Sequence, residues 1–203
     1  MAKGEDTRKR ILDIAQDSIL AKGFGATSIE EIIAEAGLTK SGFFYHFRDK
    51  NELAKALLHR FVEDDARIMD DVFGRGRALM DDPLHGFLLG LKFLADTCAD
   101  LPNGHPGCLV ATACYNERLF DREVQEINRE AALRWRARFR THFEEILARY
   151  EPREPLDVDQ LADMVSTVLE GGIVMAKALR EPRSLERQIL LFRSLVRLSF
   201  VPR

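Results

Sequence analysis

Apolar residues recur every three or four positions along most of the chain, and no stretch alternates β-branched with polar residues, so the pattern predicts an all-α protein. Ile11, Leu12, Ala15 and Ile19 mark the inward face of a first helix over about 7–22, stopped by Gly23 and Gly25. A second helix begins at Ser28, because Ser28 and Glu31 have capping-box spacing and Ile29, Ile32, Ile33 and Ala36 follow as a buried stripe. Gly37 then supplies a left-handed cap, Leu38 a small apolar plug, and Thr39 the N-cap of a very short third helix through Phe47.

A fourth helix runs from Lys50 for some two dozen residues on the stripe Leu53, Leu57, Phe61, until Gly74-Arg75-Gly76-Arg77 and then Asp82-Pro83 break the pattern. Further helices are predicted over 83–99, 108–118, 121–150, 157–180 and 184–200, with the strongest loop signal at 100–107. The long 121–150 segment turns Val124, Ile127, Ala131, Trp135, Phe139, Phe143 and Ile146 inward. The expected organisation is about nine helices: a three-helix helix-turn-helix domain over 1–52 and a C-terminal helical bundle over 53–203.

Composition narrows the chemistry. At 203 residues, 46% hydrophobic and 31% charged, the chain has the make-up of an ordinary globular protein. No apolar run approaches the length of a membrane helix, and MAKGEDTRKR has no apolar segment after its basic residues, so a cytoplasmic protein with no membrane partner is expected. Cys98, Cys108 and Cys114 are odd in number with no CxxC pair and are read as thiols. The five histidines lack ligand spacing and no catalytic signature occurs, so neither a metal, a cofactor nor an enzyme is expected. With a net charge of −3, any contact with nucleic acid has to come from a local patch.

That patch lies at the turn between the second and third helices. Two short helices joined by a glycine-containing turn form the architecture that places one helix in a DNA major groove. Between residues 38 and 60, Lys40, Arg48, Lys50, Lys55 and Arg60 stand against Asp49 and Glu52, a local excess of +3. Gly42 costs about 1 kcal/mol of helix propensity, which suits a position where bare backbone approaches a DNA strand.

The run from Ile29 to Leu53, with Thr39-Lys40-Ser41-Gly42-Phe43-Phe44-Tyr45-His46-Phe47 at its centre, resembles the DNA-binding signature of the TetR family, over roughly residues 7–55. The resemblance implies that Lys40, Ser41 and Gly42 face base edges or the groove floor, that Tyr45 and His46 touch phosphates, and that Phe43 and Phe47 seal a three-helix core. Thr27, Ser28 and Lys50 would add backbone contacts, and Thr39 and Phe44 complete the expected interface. Where this chain has Phe44 the family usually has tyrosine, and phenylalanine cannot donate a hydrogen bond to phosphate. The expected partners are double-stranded palindromic operator DNA, a second copy of the chain and a small-molecule effector, and the expected role is that of a ligand-released repressor.

For the second half, the final helix is apolar on more of its circumference than one core requires, and Gly171 and Gly172 remove side chains where another helix could approach. Gly171, Gly172, Leu191, Phe192, Leu195 and Leu198 are therefore the candidate dimer interface. Phe87, Leu91, Cys108, Thr112 and Tyr115 from the middle helices, with Trp135, Phe139, Met164, Val168 and Met175, are the candidate lining for an apolar or aromatic effector. Gly107-Cys108-Leu109 resembles the start of the corresponding helix in a TetR subgroup that includes electrophile and oxidant sensors, which makes Cys108, with Lys177 as a partner, a candidate reactive thiol. Two competing classes are a thiol-dependent enzyme using Cys108 with His105, and a helical adaptor that binds only protein.

Overall fold

The computed structural model describes residues 2–203, with side-chain surroundings from residue 4 onward. Among the described residues there are nine α-helices: α1 Ala2–Ala26, α2 Ile29–Glu35, α3 Lys40–His46, α4 Lys50–Leu79, α5 Pro83–Ala99, α6 Leu109–Tyr115, α7 Arg122–Leu147, α8 Val158–Leu179 and α9 Ser184–Ser199. They fall into two compact units, one built from Met1–Asp64 with Pro106–Ala132 and the other from Asp65–His105 with Leu133–Arg203. The chain thus leaves the first unit partway along α4 and returns to it at α6, a division unlike the single boundary at residue 52 expected from local patterning.

The first unit closes around Ile11, Ala15, Phe24, Ile32, Phe43, Phe47, Leu53 and Leu57, all buried. The expected stop of α1 appears as a kink, with Gly23 at φ 85°. α6 packs on α1, and Phe120, beyond a single 3-10 turn at Glu117–Leu119, stands edge-on to Phe24 at 4.8 Å. Lys55 pairs with Asp121 and Glu123, while Arg60 pairs with Asp13 and donates to Gln16. Much of the basic character read from residues 38–60 is therefore consumed inside the unit.

The second unit is organised by Phe73, Phe87, Phe139 and Phe143, whose rings meet stacked or edge-on at 4.9–5.6 Å. His142 leans on Phe73 and Phe87 at 5.2 and 5.4 Å. α5 and α8 both pack on α9. The expected break of α4 at Gly74-Arg75-Gly76-Arg77 does not occur, because the helix continues to Leu79. Gly76 serves close packing instead: a Cβ there would lie 2.4 Å from the Gly86 carbonyl oxygen, and a Cβ on Gly90 would lie 2.4 Å from the Phe73 ring.

A second correction concerns the C-terminal ends. α7 stops at Leu147, and Tyr150–Pro152 pairs antiparallel with Phe200–Pro202, Tyr150 opposite Pro202. The Tyr150 hydroxyl donates to Asp82 Oδ2 at 2.8 Å, and the other oxygen of Asp82 caps α5 by accepting from the His85 N–H.

Gly76→Ala lowers the unfolding free energy by about 2 kcal/mol in a urea titration, because the neighbouring backbone cannot yield. Burial, with help from Arg77 and Arg138, pulls the His142 pKa down from 6.5 to about 4. The neutral ring therefore contributes stability that is complete above pH 6.5 and lost as the pH falls towards 4, on the order of 3 kcal/mol in all. Equilibrium unfolding at pH 7 and pH 4.5 reads this loss, and His142→Phe removes that component of it.

Candidate nucleic-acid interface

The helix pair is assembled by caps that follow directly from residue identity. Ser28 Oγ accepts from the Glu31 N–H at 3.1 Å, and a Glu31 carboxylate oxygen accepts from the Ser28 N–H at 3.0 Å, completing the capping box. Lys22 binds both Glu31 oxygens and, with Ser28, draws the Glu31 pKa down to about 2. Gly37 adopts φ 61°, and its N–H and that of Leu38 close the end of α2 on Ala34 and Ile33. Thr39 Oγ1 then accepts from the Gly42 N–H at 3.1 Å and starts α3.

α3 has only seven residues, and Phe43 within it and Phe47 at its C-cap anchor it. Both are fully buried with ring centroids 5.9 Å apart, and Arg8 lies over the Phe47 ring at 4.9 Å. Their burial turns the opposite face outward: Lys40, Ser41, Phe44 and Tyr45 are exposed, Tyr45 by 83%, and His46 is half-buried beside it. Among the described residues Lys40 has no ion-pair partner, so its charge is available to an external anion.

Other expected contacts are placed differently. Thr27 is only 1% exposed, and its hydroxyl is spent on the Gly23 carbonyl and Ser18, which corrects the expectation that it meets phosphate. Lys50 donates to the carbonyls of Phe24 and Thr27, and burial lowers its pKa, so its ammonium fastens the end of α1 to the start of α4. Ser28 is half-buried and engaged as a cap. At Gly42 a Cβ would sit 3.3 Å from Thr39 Oγ1, so the glycine leaves room for its own cap, a local reason distinct from close approach to DNA. Arg8 lies outside the set expected from sequence; the basic run Thr7-Arg8-Lys9-Arg10 just ahead of the first apolar stripe is the signal that could have found it.

The candidate effector residues do not form one set. Phe87, Leu91 and Phe139 belong to the packed core of the second unit, and Trp135 donates to Asp65 Oδ2 at 2.7 Å. Tyr115 is 82% exposed, and Met164 and Met175 also face outward, which corrects their expected place in a lining. Val168 and Thr112 are half-buried, the latter donating to the Cys108 carbonyl. A cavity of about 340 Å³ in the second unit lies instead among Phe73, Arg77, Pro83, His142, Glu145 and Arg149. Cys108 is half-buried at the N-cap of α6, its Sγ accepting from the Ala111 N–H at 3.4 Å, and Lys177 is exposed.

At the α8–α9 face, Leu191, Leu195 and Leu198 form an exposed stripe on α9, and Gly171 is open on α8 with Met164, Val174 and Met175 exposed on that helix. Gly172 and Phe192 point inward. A Cβ on Gly172 would come within 2.7 Å of Leu185, so this glycine serves the chain's own α8–α9 contact, a correction to its expected part in a partner interface.

This arrangement of a capped pair of short helices followed by further helices defines a helix-turn-helix protein. Residues 11–57 match the family described as bacterial regulatory proteins, tetR family, and residues 94–192 match the tetracyclin repressor-like C-terminal domain. The chain belongs to the TetR family. It is 35% identical over 57 residues to the HTH-type transcriptional regulator SrpR of Pseudomonas putida, a match covering 28% of this chain and 27% of that protein. The chain thus spans about a quarter of the length of that curated relative. The fold is that of a TetR transcriptional regulator from Chloroflexus aurantiacus, with a TM-score of 0.79 and 24% identity covering 100% of both chains. It is also that of reduced E. coli NemR, with a TM-score of 0.77 and 17% identity over 98% of each chain. Among the described residues, no helix is long and apolar enough to cross a membrane.

Thr39→Ala removes the cap of α3 and costs about 1 kcal/mol. Thermal unfolding followed by circular dichroism reads the loss.

Proposed function

We propose that this chain is a homodimeric transcriptional regulator that inserts α3 into the major groove of a palindromic operator and is released by a small apolar effector. The observation that carries this reading is the burial of Phe43 within α3 and of Phe47 at its C-cap, set against an outward face of Lys40, Ser41, Phe44 and Tyr45. On such a face Lys40 and Ser41 suit base edges, and the Tyr45 hydroxyl and the His46 ring suit phosphate oxygens.

The exposed Leu191, Leu195 and Leu198 stripe beside Gly171 supports pairing of two copies through a four-helix interface. A twofold dimer presents two recognition helices about 34 Å apart, one helical turn of DNA. An effector that favours a different separation weakens DNA binding by the same coupling free energy that DNA exerts on the effector. Such a protein works in the cytoplasm, beside the genes it controls.

A covalent route to release rests on Cys108, which starts α6 with its sulfur already accepting a backbone N–H. Brief treatment with an electrophile followed by peptide mass spectrometry tests it: preferential labelling of Cys98 or Cys114 removes this route and leaves the apolar effector.

The DNA reading is tested by fluorescence anisotropy on the intergenic duplex upstream of the gene. Binding falls steeply with salt, and Lys40→Ala weakens it by about 1–3 kcal/mol and relaxes the base preference at one position of each half-site. Light scattering gives twice the chain mass, and Leu195→Glu yields a monomer with sharply reduced operator affinity. A strictly monomeric wild-type protein, or one indifferent to duplex DNA at low salt, overturns the proposal in favour of an adaptor or an enzyme.

A further inference from the structure

We propose that Phe44 is a specificity-determining residue that reads the 5-methyl group of a thymine in each operator half-site; the inference rests on the DNA-binding reading above. Among the described residues of α3, Phe44 is the one exposed side chain without a polar atom. It can neither donate to a phosphate nor accept from a base. The edges of base pairs in the major groove present hydrogen-bonding groups throughout, with the thymine methyl as their apolar feature.

The geometry directs the ring to that feature. Helical side chains lean towards the N-terminus of their helix, so Phe44 covers the turn bearing Lys40 and Ser41. In a helix-turn-helix the N-terminal residues of the second helix are the ones that meet base edges. Phe44 is also held rather than loose: its ring stands edge-on to the fully buried Phe43, with centroids 5.4 Å apart and planes at 87°. The ring thus keeps a contact with the core while 41% of the residue remains exposed. A rim fixed before binding loses little side-chain freedom on contact, which turns a small apolar contact into discrimination.

The test removes one methyl group at a time and leaves every Watson–Crick partner in place. Selection from randomised duplexes with the full-length protein yields a bound sequence, and each thymine in it is then replaced by deoxyuridine. For the wild-type protein, replacement at one symmetry-related position weakens binding about fourfold in one half-site and about 15-fold in both, the transfer value of a methyl contact. Phe44→Ala, with an unchanged circular dichroism melt, binds the thymine and deoxyuridine duplexes equally, while Phe44→Leu, which keeps an apolar tip, retains part of the discrimination. A wild-type protein that binds the selected duplex but is indifferent to every replacement overturns the role of Phe44 and leaves DNA binding standing. That role is equally overturned if Phe44→Ala is as sensitive as wild type, or if Phe44→Leu shows no discrimination. Failure of the wild-type protein to select any duplex removes the DNA-binding reading itself.

Discussion

A helix of seven residues has no independent stability in water, since nucleation costs more than so few hydrogen bonds return. α3 exists because Phe43 within it and Phe47 at its C-cap are buried in the core of the first unit, while Thr39 satisfies one of its free N–H groups. This constraint sets everything that the surface of the helix can do. With Phe43 and Phe47 committed inward, the azimuth of the other side chains is decided, and the polar residues are presented as a rigid face. The guanidinium of Arg8 over Phe47 extends that fixation to α1.

The caps that start and stop the first three helices are encoded within three or four residues, and so Ser28/Glu31, Gly37 and Thr39 were all legible in the sequence. The buried pair was legible only through the resemblance to a family signature. The outcomes that escaped are those settled by distant partners. Nothing near Lys50 announces that the carbonyls of Phe24 and Thr27 will absorb its charge, and nothing near Thr27 announces its burial. Gly74 and Gly76 look like helix breakers because local propensity records their cost and not the room that α5 requires at Gly76. The two units were hidden for the same reason, since residues 106–132 rejoin a domain the chain had left some forty residues earlier.

The electrostatics of the first unit follow a similar logic. A net charge of −3 gives no hint of anion binding, and even the local excess between residues 38 and 60 shrinks once Lys50, Lys55 and Arg60 are seen engaged in internal contacts. What remains at the outward face of α3, among the described residues, is the unpaired ammonium of Lys40 framed by aromatic and hydroxyl groups. Such a surface offers hydrogen-bonding and aromatic groups more than a concentration of positive charge.

Asp82 binds three parts of the second unit through one side chain. One oxygen holds the first turn of α5, the other receives the Tyr150 hydroxyl, and Tyr150 sits in the ribbon that pins the residues following α9. The end of α7, the beginning of α5 and the tail after α9 are in effect riveted at one point. Strain applied to any of these segments is shared with the other two before it can be relieved, so the exposed leucine stripe of α9 inherits its steadiness from a carboxylate more than a hundred positions earlier in the chain.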